Sequence, residues 1–157
     1  MGVFFNSDEV FEIAIQIEKN GAKFYKKAAQ IVTDPYNKDL LLRLSEMEED
    51  HAVTFESMLK EMKSDLGTMD NEVADYLKAM ASGYVFKYNT DPSEAVSDED
   101  SMEDIIGIAL GLEKDSIAFY SGLRDIMPEA MGKRKIDAII KEEYKHIVEL
   151  FNSLKSL

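Results

Sequence analysis

Two short stretches of the sequence, "EMEEDH" and "KEEYKH", contain its only two histidines, His51 and His146. Each histidine follows a glutamate by three residues, Glu48 in the first stretch and Glu143 in the second. Side chains three residues apart lie on one face of a helix, so a carboxylate and an imidazole at this spacing can bind one metal ion. In a chain with 31 acidic residues, however, a single Glu-x-x-His pair is weak evidence for a metal site.

The two pairs belong to a longer internal repeat. A shift of 95 residues aligns residues 9–60 with residues 104–155 without a gap, and 13 of the 52 aligned pairs are identical. One offset that holds over two predicted helices indicates an internal duplication. The repeated residues that carry metal-ligand chemistry are Glu18 and Glu113, Glu48 and Glu143, and His51 and His146.

These six residues predict a site for two metal ions. Glu18 and Glu113 each follow an apolar residue on a predicted helix, where a buried carboxylate is unfavourable unless something pairs with it. Carboxylate and imidazole ligands suit iron or manganese, with zinc as a substitute. Four carboxylates would balance the charge of two divalent ions, and this ligand set is the di-iron carboxylate pattern of four-helix bundles. Two iron ions are therefore the predicted cofactor, with manganese or zinc as possible substitutes.

Composition excludes several other classes of function. The chain has no cysteine, which excludes disulfides, thiolate catalysis and cysteine-ligated metal sites. A net charge of −13 argues against nucleic acid as a partner. No apolar run approaches the length of about 18 residues that a membrane span needs, and the first residues do not resemble a signal peptide. We therefore predict a cytoplasmic protein that binds neither nucleic acid nor membrane.

Apolar periodicity and turn residues predict five helical segments and no strand. The segments span about 7–32, 37–64, 70–85, 101–127 and 133–154, with a polar loop over 87–100. Short turns within the first and last pairs predict antiparallel neighbours. The expected fold is an all-α four-helix bundle in one domain, 1–157, with a long helix-containing crossover over about 65–100.

With this repeat, the sequence resembles the ferritin-like superfamily and, within it, the rubrerythrin-like di-iron carboxylate proteins. The resemblance covers both helix pairs, and Tyr25 and Tyr120 stand seven residues after the first glutamate of each copy, as in that family. It implies that Glu48 and Glu143 bridge two irons, that Glu18 and Glu113 are terminal ligands, and that His51 and His146 each bind one iron.

The sequence departs from the resemblance in two ways. Rubrerythrins proper carry a cysteine-ligated rubredoxin domain, so this cysteine-free chain would need an external electron donor such as a rubredoxin-like protein. The family also has an additional glutamate about one turn after the first ligand of the second copy, where this chain has Ser116. That glutamate is associated with peroxide chemistry in the family, so its replacement by serine argues against peroxidase activity.

Three further residues are candidates for roles beside the ligands. Glu142 precedes the bridging Glu143, and its repeat mate is Met47. In related di-iron bundles an acid at this position can accept the N–H of the histidine on the opposite helix, so the resemblance implies that Glu142 could support His51, whereas Met47 could not support His146. Alternatively, Glu142 is an exposed acid. Tyr25 and Tyr120 are expected to be core residues, with a redox or supporting role as the alternative.

The leading functional hypothesis is a di-iron oxidoreductase that reacts with O₂ or peroxide and receives electrons from an external donor. The alternatives are an iron-binding or ferroxidase protein for iron handling, and a scaffold or sensor with a structural metal. Bundles of this kind commonly associate, so a homodimer is also expected.

Overall fold

The computed structural model describes residues 7–61, 75–77, 79–80, 91–127 and 130–157. These residues form helices, a 3₁₀ turn and short connections, and they contain no strand. None of the described helices is long and apolar enough to cross a membrane.

The first helix pair consists of α1, Ser7–Ile31, and α2, Pro35–Glu61. The two helices are antiparallel, and Ser45 on α2 donates a hydrogen bond to the carbonyl of Ala22 on α1 at 2.8 Å. The helix α2 begins two residues earlier than the predicted Asn37. The physical reason is that Pro35 fits the first turn of a helix, where its missing N–H is not needed. Asp34 then accepts a hydrogen bond from the backbone N–H of Asn37 at 2.9 Å, which caps the helix.

The second pair consists of α3, Met102–Ile126, and α4, Ala130–Lys155. Ser101 caps α3 as predicted, in a reciprocal capping box with Asp104. The helix α4 begins at Ala130, three residues before the predicted Lys133. Gly132 lies in the first turn of α4, and the Met127 side chain packs where a Cβ of residue 132 would stand. The glycine therefore allows the helix to begin close to the end of α3 and does not delay it.

The crossover contributes helical turns at 75–77 and 79–80 and a 3₁₀ helix, Pro92–Ala95. Leu77 and Met80 are buried in the core. The sequence predicts a crossover helix from Asp70 to Val85, and both of these ends lie outside the described residues. So does the predicted end of α2 at Ser64. The 3₁₀ helix interrupts the stretch predicted as loop, with Asp91 as its cap.

The apolar core is divided into two clusters, one toward each end of the bundle. One cluster includes Phe11, Phe55, Phe119, Leu123 and Ile136. The other includes Phe24, Leu41, Leu44, Ile105 and Leu150. Between these positions along each helix lie the glutamates and histidines of the repeat, so a polar layer is enclosed by apolar layers. The predicted all-α bundle of antiparallel helix pairs is confirmed.

Candidate metal centre

The four long helices each contribute to one buried polar cluster. The helix α1 provides Glu18, α2 provides Glu48 and His51, α3 provides Glu113, and α4 provides Glu143 and His146. Because the helices of the bundle are antiparallel, residues at the middle of each helix meet at one level. All six side chains belong to residues that are at most 4% exposed.

The six residues form two overlapping groups of potential ligands. Glu18, Glu48, His51 and Glu143 form one group, and Glu48, Glu113, Glu143 and His146 form the other. Within each group one ligand atom per residue lies within 4.8 Å of all the others. Glu48 and Glu143 belong to both groups, which is the arrangement that two neighbouring metal ions with bridging carboxylates require.

The distances show that the histidines face the cluster through Nδ1. Nδ1 of His51 lies 2.8 Å from Oε1 of Glu143 and 3.5 Å from Oε2 of Glu18. Nδ1 of His146 lies 3.2 Å from Oε2 of Glu143 and 3.4 Å from Oε1 of Glu113. The two imidazole rings are stacked, with centroids 5.8 Å apart, so they lie on the same side of the cluster.

Several buried ligand atoms face one another at these short distances but make no hydrogen bond of acceptable geometry with any described residue. These atoms are Oε2 of Glu18, both carboxylate oxygens of Glu143, and Nδ1 of each histidine. Buried polar atoms are nearly always hydrogen-bonded in folded proteins. Buried lone pairs that converge on one point without a hydrogen bond are typical of metal ligands, so the residues fit a pair of divalent metal ions.

The electrostatics of the cluster point the same way. Burial raises the pKa of Glu18 well above its usual range, and the neighbouring carboxylates raise it further. Burial and the Glu143 carboxylate raise the pKa of Glu113 to about 8. Burial lowers the pKa of His146, but the adjacent carboxylates outweigh burial and raise it to about 12. Without a metal ion the cluster therefore retains protons, and a metal ion would take their place.

The structure gives each tyrosine of the repeat a partner that sequence reasoning did not identify. The hydroxyl of Tyr25 donates to Oε1 of Glu113 at 2.5 Å, and that of Tyr120 donates to Oε1 of Glu18 at 2.6 Å. Both tyrosines are buried. Each tyrosine thus fixes the outer carboxylate of the opposite copy across the α1–α3 contact.

Glu142 lies against the outer nitrogen of His51, with its Oε2 beside Nε2. In contrast, Nε2 of His146 has no hydrogen-bond partner among the described residues. The side chain of Glu142 is 44% exposed, so it joins the buried imidazole to solvent. A surface pocket of about 320 Å³ opens here, lined by residues that include Met47, His51 and Glu142.

Two positions beside the cluster carry small residues. A Cβ added at Gly21 would lie 3.5 Å from Cγ of Glu48, so this glycine borders a bridging carboxylate. Its repeat mate Ser116 donates its hydroxyl to the carbonyl of Leu112 at 2.9 Å. Ser116 therefore satisfies its own hydrogen bond within α3 and adds no seventh carboxylate.

Comparison with known proteins agrees with this geometry. A family model described as Rubrerythrin matches residues 9–155. The structure is similar to a crystal structure from Thermotoga maritima described as a ferritin-like diiron-carboxylate protein. The two chains share 23% identity with a TM-score of 0.76, over 99% of this chain and 98% of the other, which confirms the ferritin-like fold. No curated protein matches the sequence significantly.

Proposed function

The chain belongs to the rubrerythrin family, and from this we propose that it is a di-iron oxidoreductase that reduces peroxide or O₂ with electrons from an external donor. The observation that carries the proposal is the pair of overlapping ligand groups that share Glu48 and Glu143. With peroxide as oxidant, each turnover would consume two electrons and two protons and release two molecules of water.

The protein would hold one iron with each ligand group. Glu18 and His51 would bind one ion, Glu113 and His146 the other, and the shared glutamates both. When bound, the irons supply reversible one-electron chemistry and positions that an oxidant can occupy. The remaining task of the chain is to hold the ligands in place, which Tyr25, Tyr120 and Glu142 do through their hydrogen bonds.

Access to the site supports a small oxidant. The six ligand side chains are nearly inaccessible to solvent, so a bulky organic substrate could not contact them without a large movement of the helices. The pocket beside Met47, His51 and Glu142 reaches the edge of the cluster from the surface. A molecule of two oxygen atoms is small enough to approach by this route. Glu142 contacts both solvent and His51 at the inner end of this pocket.

Ser116 supports a second candidate function. Its hydroxyl donates to the carbonyl of Leu112 at the position where the family has a further glutamate that is associated with peroxide chemistry. A site without that glutamate would suit a ferroxidase that oxidises iron for transfer or storage. The native metal, the cytoplasmic location and the homodimer stay predictions from the sequence.

The test begins with iron binding and continues with turnover. Anaerobic titration with Fe²⁺ should show two ions per chain, and peroxide should then be consumed in proportion to an added reductant. Glu48→Gln should abolish binding at both positions because both groups share this carboxylate. The control Glu49→Gln alters the exposed neighbour and should change nothing. Iron that is oxidised once without catalytic peroxide consumption would favour the ferroxidase, and binding of a single ion would contradict both functions.

A further inference from the structure

The outer face of α4 carries exposed apolar and basic side chains. Tyr144, Val148 and Phe151 are 52%, 56% and 49% exposed. They follow one another at spacings of four and three residues, so they form one stripe along the helix. Lys141 and Lys145 flank the stripe and are exposed, and neither makes an ion pair with any other described residue. We call these five residues the α4 outer face.

The internal repeat shows that the bundle does not require this surface. The positions on α2 that correspond to the α4 outer face are Glu46, Glu49, Asp50, Val53 and Glu56. Both helices carry the same Glu-x-x-His ligands and pack in the same bundle. Only the valine is common to the two faces, whereas both lysines correspond to acids and both aromatic residues correspond to glutamates. Neither metal binding nor packing accounts for the difference.

The charge of α4 also differs from that of the rest of the molecule. The chain has a net charge of −13, but α4 contains six basic and four acidic residues. Each of those acids has a partner. Glu143 belongs to the metal cluster, and Glu142 contacts His51. Glu149 forms an ion pair with Arg43, and Asp137 forms one with Arg124. Of the six bases, Lys135 pairs with Glu61, and the other five make no ion pair with any described residue. The charge that α4 presents to solvent is therefore positive, on an otherwise acidic protein.

We propose that the α4 outer face docks the external electron donor, and that this donor is a small acidic protein with an apolar patch around its redox centre. An apolar stripe bordered by lysines complements such a surface, and opposite charge steers the encounter. The proposal rests on the oxidoreductase function proposed above.

The position of the stripe suits electron delivery. Glu143 and His146 lie on the inner side of α4, and Tyr144 and Val148 lie on its outer side. A helix with its side chains is about 10–12 Å across. A donor on the outer face is thus separated from the ligands by one helix, and no other described element lies between them.

A second copy of this chain fits the face less well. A twofold contact centred on Val148 would place Lys141 of each copy against Lys155 of the other, because antiparallel helices pair residues at equal distances from the axis. Lys155 lies over the ring of Phe151, 5.6 Å from its centroid, and so adds to the positive charge of this surface. Two such faces would repel each other.

The docking test uses the iron-loaded protein and a reduced acidic rubredoxin as the probe. Affinity is measured by isothermal titration with the oxidised probe, and electron transfer by stopped-flow oxidation of the reduced probe. The double variant Lys141→Glu/Lys145→Glu and the single variant Val148→Asp should each weaken binding about tenfold or more, and binding should weaken as salt rises.

The repeat provides the matched controls. Val53→Asp changes the equally exposed valine on α2, and Lys23→Glu/Lys26→Glu reverses two exposed lysines on α1. These variants should stay within about twofold of the unmodified protein, the ordinary size of effects at surface sites away from an interface. Equal losses in test and control variants would overturn the proposal. So would a dimer, seen by sedimentation velocity, that Val148→Asp dissociates and Val53→Asp does not.

Failure of the function and failure of the docking surface are distinguishable. Peroxide consumption with a small-molecule reductant tests the function without any donor protein. If peroxide is consumed in that assay and the α4 variants leave rubredoxin binding unchanged, the docking proposal alone is overturned. Rubredoxin binding that the α4 variants abolish, without consumption of either peroxide or O₂, supports the docking face and overturns the oxidoreductase function.

Discussion

At the scale of single residues, the two histidines of the site differ in what contacts their outer nitrogen. Nε2 of His51 lies against Glu142, whereas Nε2 of His146 has no partner among the described residues. A carboxylate on the outer nitrogen fixes the tautomer and raises the basicity of the ligand, and its loss typically reduces metal affinity or activity by about 10–100-fold. We therefore predict that the position at His51 binds metal more tightly than the position at His146.

Titration with less iron than sites, read by Mössbauer spectroscopy, measures this difference. Glu142→Gln should reduce the difference in affinity without changing the fold, and Met47→Glu, at the repeat-related position, should provide a similar support for His146. The control Glu46→Gln alters an exposed acid on α2 and should have no effect. Equal occupancy of the two positions, unchanged by Glu142→Gln, would show that Glu142 is only a surface acid.

A second prediction at this scale concerns the tyrosines. The buried hydroxyls of Tyr25 and Tyr120 donate to Glu113 and Glu18, and removing one partner of a buried hydrogen bond costs about 1–3 kcal/mol. Tyr25→Phe and Tyr120→Phe should each lower the free energy of unfolding by about this amount in urea denaturation. The control Tyr36→Phe, at a site that is 72% exposed, should change it by less than about 0.5 kcal/mol. Unaltered stability in the two buried variants would mean that the hydroxyls contribute nothing.

At the scale of elements, two glycines of α3 should respond differently to replacement by alanine. The space that a Cβ of residue 107 would occupy has no neighbouring atom within 4 Å, so Gly107→Ala should stabilise the helix by about 0.5–1 kcal/mol. A Cβ at Gly122 would lie 2.8 Å from Leu77 and from Tyr76 of the crossover. Overpacking costs about 1–3 kcal/mol, so Gly122→Ala should be less stable than Gly107→Ala by roughly that amount.

Thermal or urea unfolding of the two variants, compared in one buffer, measures the difference. Tyr76 also donates to the carbonyl of Ala118 at 2.5 Å, so the crossover is held to α3 at this point. If both variants were stabilised equally, the close approach of the crossover to Gly122 would not matter for stability.

At the scale of the whole molecule, metal binding should stabilise the bundle without being needed for its helices. The ligands lie between two apolar clusters whose packing does not involve the metal. A ligand at 100 times its dissociation constant stabilises the folded state by about 2.7 kcal/mol. A chelator should therefore lower the melting temperature while the far-ultraviolet circular dichroism at about 25 °C stays helical.

Glu48→Gln provides the control for the chelation experiment, because a protein that cannot bind metal should not respond to a chelator. Complete loss of helical signal on chelation would support the structural-metal scaffold instead. An unchanged melting temperature, with metal analysis showing that the ions had been removed, would contradict the prediction.

The sequence by itself determined the helices, the duplication and the set of six candidate ligands. Helical periodicity fixes which residues share a face, and an ungapped offset of 95 residues keeps both Glu-x-x-His pairs in register with Glu18 and Glu113. The predicted helix starts were two and three residues late at Pro35 and Ala130, since a proline or a glycine is compatible with a first helical turn.

Only the tertiary structure decided which side chains of different helices meet. The partner of Tyr25 is Glu113, 88 residues away, and the partner of Tyr120 is Glu18. Such pairs depend on the level at which two antiparallel helices pass each other, and the spacing within either helix does not contain that information. The same holds for Glu142, which the sequence left as either a support for His51 or an exposed acid, and which the packing of α2 against α4 brings to Nε2 of the histidine.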